Sequence, residues 1–216
     1  MRNFNLFLKR AFDICASFVL IVMLIVIPVF IIVPVLIRLT SKGPAIFTQE
    51  RMGKDEKVFK IYKYRTMLIP EESLDENGEM LEPKARITKI GRILRKTSID
   101  ELPQLFNVLE GTMSIVGPRP TLPYQAERYN EEQKKRHLMR PGITGYAQVN
   151  GRNDLTWAEK IEYDLEYIEN YNFWLDIKIL FKTIAVVFKS EGIEFEKNDA
   201  LTMEIEEKVL EETHQN

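Results

Sequence analysis

Ile14 to Ile37 reads ICASFVLIVMLIVIPVFIIVPVLI, 24 residues without a charge, among which only Ser17, Pro28 and Pro34 fall outside the apolar set. As a helix this run measures ~36 Å at ~1.5 Å per residue, against a hydrocarbon core of ~30 Å, so it is long enough to cross a bilayer. Two prolines count against a straight crossing. Each lacks a backbone donor and favours a kink, although membrane helices tolerate this. Pro28 divides the run into arms of 14 residues (Ile14 to Ile27) and nine (Val29 to Ile37), each too short to span. Basic residues flank both ends: Arg2, Lys9 and Arg10 before, and Arg38, Lys42 and Arg51 after. The positive-inside tendency assigns both flanks to the cytosol. From these residues alone, a hairpin that enters and leaves by one face and a straight span both stay open. A cleaved signal peptide is disfavoured, because the apolar core is too long and no small-residue cleavage site follows before Arg38.

Outside this run the composition is that of one soluble domain. The chain has 216 residues with 30 Lys and Arg against 32 Asp and Glu, for a net charge of −2. Charge divides unevenly, since Lys189 to Asn216 holds nine acids and three bases and leaves residues 1–188 at +4. The only cysteine, Cys15, lies inside the apolar run, so neither an intrachain disulfide nor a thiolate metal cluster is available. His137 and His214 are the only histidines, too few for a His-based metal centre and a poor basis for a Ser-His-Asp triad. Neither common glycine-rich phosphate fingerprint occurs. Catalysis, if present, rests on carboxylates, Lys, Arg or backbone.

Ala45 to Met67 has short β-like runs around the turn-prone Gly53 to Glu56, which predicts a hairpin. Glu71 to Pro83 reads as a loop with a turn at Asn77-Gly78. Lys84 to Lys96 contains six bases and no acid. Wound as a helix, it gathers Ile87, Ile90, Ile93 and Leu94 within an arc of ~120° and places the bases opposite. A surface helix packed on the core and a helix lying at an anionic membrane face both fit. Helices are also expected over Leu102 to Leu109, Pro123 to Leu138, Leu155 to Tyr171 and Leu175 to Phe188, with a weak one at Met203 to Leu210. Phe173, Trp174 and Phe188 read more readily as core than as membrane anchors. Ser114 to Thr121 is extended, because Pro118 and Pro120 flank Arg119 and present it from a stiff loop. Arg140 to Asn153 is rich in glycine and suits close backbone approach to a ligand.

Thr97-Ser-Ile-Asp-Glu-Leu-Pro103 is the strongest chemical candidate. Asp100 and Glu101 are adjacent, so on a helix their side chains diverge by about 100° and cannot face each other across a substrate. They can take separate tasks, one attacking phosphorus and the other holding a metal ion or handling a proton. Ser98 with Glu101 also matches a capping box, and acids are favoured in a first helical turn. Both readings stand, and they are compatible, since a helix N-terminus attracts phosphate. Lys63, Arg65, Arg119, Arg140 and Arg152 supply cations on strands and loops for phosphate, Arg by bidentate clamping and Lys as a point charge.

At these residues the sequence resembles the monotopic polyprenyl-phosphate phosphoglycosyl transferases, a bacterial sugar transferase family, in a minimal one-domain form. The likeness runs from Lys9 to Phe188. Its motifs are Lys9-Arg-Ala-Phe-Asp13, Phe47-Thr-Gln-Glu-Arg51, Ile61-Tyr-Lys-Tyr-Arg-Thr-Met67, Ser98-Ile-Asp-Glu-Leu-Pro-Gln-Leu-Phe-Asn-Val-Leu109, Met113-Ser-Ile-Val-Gly-Pro-Arg-Pro120 and Arg140-Pro-Gly-Ile-Thr-Gly-Tyr-Ala-Gln-Val-Asn-Gly-Arg152.

The resemblance implies an α+β, mostly helical fold: a re-entrant membrane helix over residues 1–42, then a small cytosolic catalytic domain over 43–188 with interfacial amphipathic helices and a short β-hairpin. An acidic tail, 189–216, follows. It implies transfer of a sugar 1-phosphate from a UDP-sugar to undecaprenyl phosphate with release of UMP, at the cytoplasmic face of the bacterial inner membrane, and a requirement for Mg2+. Asp100 would be the nucleophile that carries the phosphosugar, and Glu101 a magnesium ligand. Lys63 and Arg119 match phosphate-site positions, Asp164 matches an acidic position near them, and Arg10 and Asp13 match the motif that anchors the helix ends at the interface. In one departure, the family's Ser-Pro helix break is here Ile27-Pro28. Membrane lipid is an expected partner, nucleic acid is not, and a homodimer stays open. The rival readings are a hydrolase acting on the same lipids and a non-catalytic scaffold recruited to the membrane by the basic helix.

Overall fold

The computed structural model describes residues 2–151 and 155–189. Arg152, the acidic tail beyond Lys189 and the helix expected at Met203 to Leu210 lie outside the described residues.

Helix α1 (Arg2–Val26) and helix α2 (Val29–Thr40) are bent by 62° at Ile27-Pro28. Pro28 has no N–H for the Leu24 carbonyl, so the first helix ends there. The second starts at once, with the Ile31 and Ile32 N–H groups donating to the Pro28 carbonyl at 3.0 and 2.8 Å. Pro34, expected to kink the chain as well, lies inside α2. No single described helix is long and apolar enough to cross a membrane, whereas the bent pair passes that test together by length and composition.

Helix α1 begins well before the apolar run because its first half is amphipathic. Lys9, Asp13, Ser17 and Ile21 recur every four residues and are all buried, while Phe4, Phe7, Phe18 and Val19 are each at least 60% exposed. The buried stripe packs on the soluble body along helix α4 (Gln104–Glu110), strand β3 (Ser114–Val116) and helix α9 (Phe173–Lys189). In α2, Val33 and Ile37 pack with Ala45, Tyr64 and Leu94 of the same body. Both arms of the bent pair therefore rest on one domain.

The expected hairpin is present. Strand β1 (Ile46–Met52) runs antiparallel to β2 (Val58–Tyr64), with Phe47 opposite Lys63 and Met52 opposite Val58. Helix α3 (Lys89–Lys96) is shorter than the basic stretch predicts. Thr88 caps it by accepting from the Gly91 N–H at 2.9 Å, and a hydroxyl cap there stops the helix from extending back to Lys84. Helix α4 ends on Gly111, whose φ of 88° suits glycine and directs its N–H to the Asn107 and Val108 carbonyls.

Strand β3 pairs in parallel with β4 (Gly142–Thr144), a contact that no local pattern announces. Between them, Pro123 to Leu138 is not one helix but α5 (Pro123–Ala126), α6 (Glu131–Lys134) and a 3-10 turn, Lys135–Leu138. The interruption comes from Asn130, which accepts from the Gln133 N–H at 2.9 Å while Gln133 accepts from the Asn130 N–H at 3.1 Å. A capping box inside an apparently continuous pattern starts a new helix. Helices α7 (Tyr146–Asn150) and α8 (Trp157–Glu169) follow, the latter begun by a Thr156–Glu159 capping box. Val116, Met139, Tyr167, Ile168, Tyr171 and Ile179 form the core where β3, α8 and α9 meet. Trp174, read from sequence as core, is 72% exposed on the outer face of α9. The position is set by the opposite side of the helix, where Asp176 and Ile179 are buried.

Candidate functional site

Asp100 and Glu101 lie in a 3-10 turn, Ile99–Glu101, ahead of α4. Ser98 has a left-handed backbone, φ 55°, and its side chain caps nothing. The capping-box reading is thus corrected: the reversal at Ser98 frees Glu101 from the helix end. Glu101 instead accepts from Lys63 Nζ at 3.0 Å and from the Arg119 guanidinium at 3.4 Å, both on Oε1. Lys63 comes from the end of β2 and Arg119 from the loop after β3, so three segments distant in sequence meet at one carboxylate.

The two acids are separated electrostatically. Burial and the neighbouring Glu101 charge push Asp100 up to about 6, against the opposing pull of Lys63, Arg95 and Arg119. Burial would also raise Glu101, but Lys63 and Arg119 outweigh it and bring Glu101 down to about 2. Near neutral pH both are ionised: Glu101 is firmly paired, and Asp100 is less stabilised and a better nucleophile. Both are half-buried, leaving a side open to a ligand.

The Arg119 loop is held by backbone. Gly117 N–H donates to the Thr144 carbonyl and Gly142 N–H to the Pro118 carbonyl, each at 2.9 Å. A Cβ on Gly142 would lie 2.1 Å from the Gly117 nitrogen, so the glycines here permit two backbones to cross. The glycine-rich stretch was expected to approach a ligand, and what it approaches is the loop bearing Arg119. Arg136 completes the support by donating to the Arg119 carbonyl at 3.1 Å and the Tyr129 hydroxyl at 2.6 Å. Asp164 pairs with Arg136, both side chains being 3% exposed. Asp164 therefore acts behind the site, through Arg136, and burial pushes it up to about 6 despite that partner.

Arg65 and Arg140, also expected at phosphate, are placed elsewhere. Arg65 is buried and donates to the carbonyls of Ser41, Lys42, Gly43 and Pro44, which ties the end of α2 to β2. Arg140 donates to the Gly111 carbonyl at 2.7 Å. Of the four described cations among those proposed for phosphate, Lys63 and Arg119 are the two at Glu101.

Arg10 and Asp13 reach beyond the helix that carries them. Arg10 donates to the Val108 and Leu109 carbonyls at 2.6 and 3.0 Å, capping the end of α4. Asp13 accepts from the Ser114 hydroxyl at 2.8 Å and the Ile115 N–H at 3.0 Å. Lys9, read from sequence as a basic flank of the apolar run, donates to the Val116 carbonyl at 2.7 Å and to Asp176 at 2.8 Å. Arg136 was missed, because Lys134-Lys135-Arg136 reads as a solvated basic run.

Among the described residues no group of three or more His, Cys, Asp or Glu side chains is arranged to hold a metal. A magnesium ion needs only one or two carboxylates beside substrate phosphate and water. Glu101 fits that part, since its two cations both fall on Oε1 and Oε2 is left for a hard cation.

The profile of a family described as bacterial sugar transferase matches residues 4–190. An uncharacterised sugar transferase, EpsL, of Bacillus subtilis is 47% identical over 187 residues, covering 87% of this chain and 90% of that protein. A UDP-glucose:undecaprenyl-phosphate glucose-1-phosphate transferase of Escherichia coli is 43% identical over 197 residues, covering 87% of this chain and 42% of that protein. An undecaprenyl-phosphate galactose phosphotransferase of Salmonella typhimurium is 39% identical over 201 residues, covering 86% and 41%. The chain thus spans about two fifths of the length of the latter two.

Proposed function

The chain belongs to the bacterial sugar transferase family, and from that premise we propose that it is a polyprenyl-phosphate phosphoglycosyl transferase. It moves a sugar 1-phosphate from a UDP-sugar to undecaprenyl phosphate and releases UMP. The observation that carries this reading is a half-buried Asp100 next to a Glu101 that is held by Lys63 and Arg119 from two other segments. Relatives named for the same transfer support it.

In this reading Asp100 attacks the phosphorus that bears the sugar. The phosphoanhydride bond to UMP breaks, and the phosphosugar is left on the Asp100 carboxylate. The phosphate of undecaprenyl phosphate then attacks the same phosphorus and frees Asp100, giving a lipid diphosphate sugar. Lys63 and Arg119 lie where negative charge accumulates in both steps. Mg2+ bound at Glu101 and the phosphates would supply further charge neutralisation. Purified protein given undecaprenyl phosphate and a panel of UDP-sugars is expected to release UMP with at least one of them. Absence of UMP with every sugar, from folded protein in lipid, refutes the assignment.

The pH profile follows from Asp100. A carboxyl raised to about 6 is ionised above that pH and protonated below it, and only the carboxylate attacks. UMP release is expected to be level above pH ~7 and to fall about tenfold per unit below pH ~5. A rate that is flat down to pH 4 contradicts the raised Asp100 carboxyl and leaves its role as nucleophile to the Asp100→Asn variant.

We further propose that the bent pair enters and leaves one leaflet, on the cytoplasmic face of the inner membrane. Lys9 and Asp13 on one arm and Ile37 on the other are buried against the same domain, while the residues around the bend, Ile25, Val26 and Ile27, are more than half exposed and apolar. With Cys15 replaced by Ser, Asn5→Cys and Lys42→Cys are expected to react with an impermeant maleimide from the same face of membrane vesicles. Labelling from opposite faces means a straight span.

A further inference from the structure

We propose that Asn107 is a positioning residue that holds Lys63 against Glu101. The proposal rests on the reading of Asp100 and Glu101 as the reacting pair. Asn107 is fully buried and lies on α4, which directly follows the turn bearing both acids. Its side-chain oxygen accepts from the Tyr62 N–H at 3.0 Å, and its amide nitrogen donates to the Lys60 carbonyl at 2.8 Å. These two groups lie on the edge of β2 that β1 leaves free, on either side of Ile61, which pairs with Gln49 of β1. One amide thus stands in for a third strand, and its donor and acceptor match the edge it meets.

Lys63 is the next residue after Tyr62, and it is the one that reaches Glu101. The same Asn107 also fixes the other end of its helix, its backbone carbonyl accepting from the Gly111, Thr112 and Met113 N–H groups at 3.1 to 3.2 Å. The strand that carries the cation and the helix that follows the carboxylates are joined at this side chain. Burial against α4 alone would leave β2 able to slide, because apolar contact has no direction; the paired hydrogen bonds fix its height along the helix.

The test is a double-mutant cycle with lipid-reconstituted protein. Asn107→Ala is expected to lower kcat for UMP release about 100-fold with KM little changed, the scale of a ~1 Å misplacement. In a Lys63→Met background the same substitution should lower it less than about threefold, because the group it positions is gone. Effects that simply multiply overturn the proposal and leave Asn107 a structural residue. Asn107→Asp, which has the same shape and keeps the acceptor for the Tyr62 N–H while losing the donor to the Lys60 carbonyl, should recover part of kcat, and it replaces Asn107→Ala in the cycle if that variant does not fold. A second readout does not depend on catalysis. Acetylation of Lys63 by an amine-reactive ester, followed by peptide mass spectrometry, should be several-fold faster in the Asn107 variant, with the rate at Lys57 unchanged. Faster labelling of Lys63 in the variant, when the native chain itself releases no UMP with any UDP-sugar, upholds the positioning and refutes the transferase reading. Unchanged labelling of Lys63 overturns the positioning.

Discussion

Asp100→Asn is expected to reduce UMP release by roughly four orders of magnitude or more while the protein stays folded. A covalent nucleophile has no substitute within its site, and the amide cannot form the acyl phosphate. The loss should appear in kcat, with UDP-sugar still bound. Stability should move the opposite way. A carboxyl raised to about 6 in the fold, from about 3.9 when unfolded, binds its proton more tightly in the folded state. Folding therefore loses stability as pH rises from about 4 to 6, and above that range the ionised Asp100 is a net cost. The neutral amide removes this cost, so the variant's Tm at pH 7.5 is expected to equal or exceed that of the native chain. An Asp100→Asn enzyme that retains activity sinks the assignment. A variant that is inactive because it has unfolded would refute the electrostatic account, since the acid would then be a structural support.

Asp164→Ala should cause the largest loss of stability. Its partner Arg136 is buried to the same degree and remains charged in any environment a protein provides. Breaking a buried pair from one side typically costs about 3–5 kcal/mol, a large share of an ordinary domain's 5–15 kcal/mol. At this chain length the shift is about 10 °C or more in Tm. The raised pKa of Asp164 does not contradict this. Burial penalises both ions, so the intact pair is near balance, but a carboxyl can escape the penalty by taking a proton and a guanidinium cannot. Asp164→Asn should consequently be milder than Asp164→Ala, and replacing Arg136 and Asp164 together by Met and Leu should recover much of the stability. Activity should not recover in that pair, because the Arg119 carbonyl then lacks its donor from Arg136. A double variant with native activity would show that Arg136 supports the fold and not the Arg119 loop.

The lessons of sequence and structure differ by range. The β-hairpin was legible because Ala45 to Met67 combines strand-forming runs with a central turn, and both signals are local. The helix break was legible for the same reason, since proline acts on its own backbone. Pro34 lies inside α2, where a single missing donor is tolerated when neighbouring bonds persist. Pro123 to Leu138 failed differently: Asn130 and Gln133 are unremarkable in a helical pattern until they are seen to cap each other. Among the charged residues, Lys63, Arg119, Asp100 and Glu101 were named from motif and chemistry, and they are the ones brought together. Arg65 and Arg140 carry the same charge in similarly suggestive stretches, yet their guanidinium groups close loops and a helix end. Composition cannot separate a cation that waits for phosphate from one that already has carbonyl partners.

The residues along the chain were enough to indicate a proline-broken apolar helix, a body with a basic balance, and chemistry limited to carboxylates, Lys, Arg or backbone. These follow from backbone chemistry, hydrophobic length and the inventory of side chains, all properties of neighbours along the chain. Tertiary contacts alone place both arms of the helix pair on one domain, bring Lys9 and Asp13 of α1 to the strand leading to Arg119 and Arg10 to the end of α4, and pair Asp164 with Arg136. Each depends on groups separated by dozens of residues. Their contacts are set by which buried polar groups must find a partner once the core has closed.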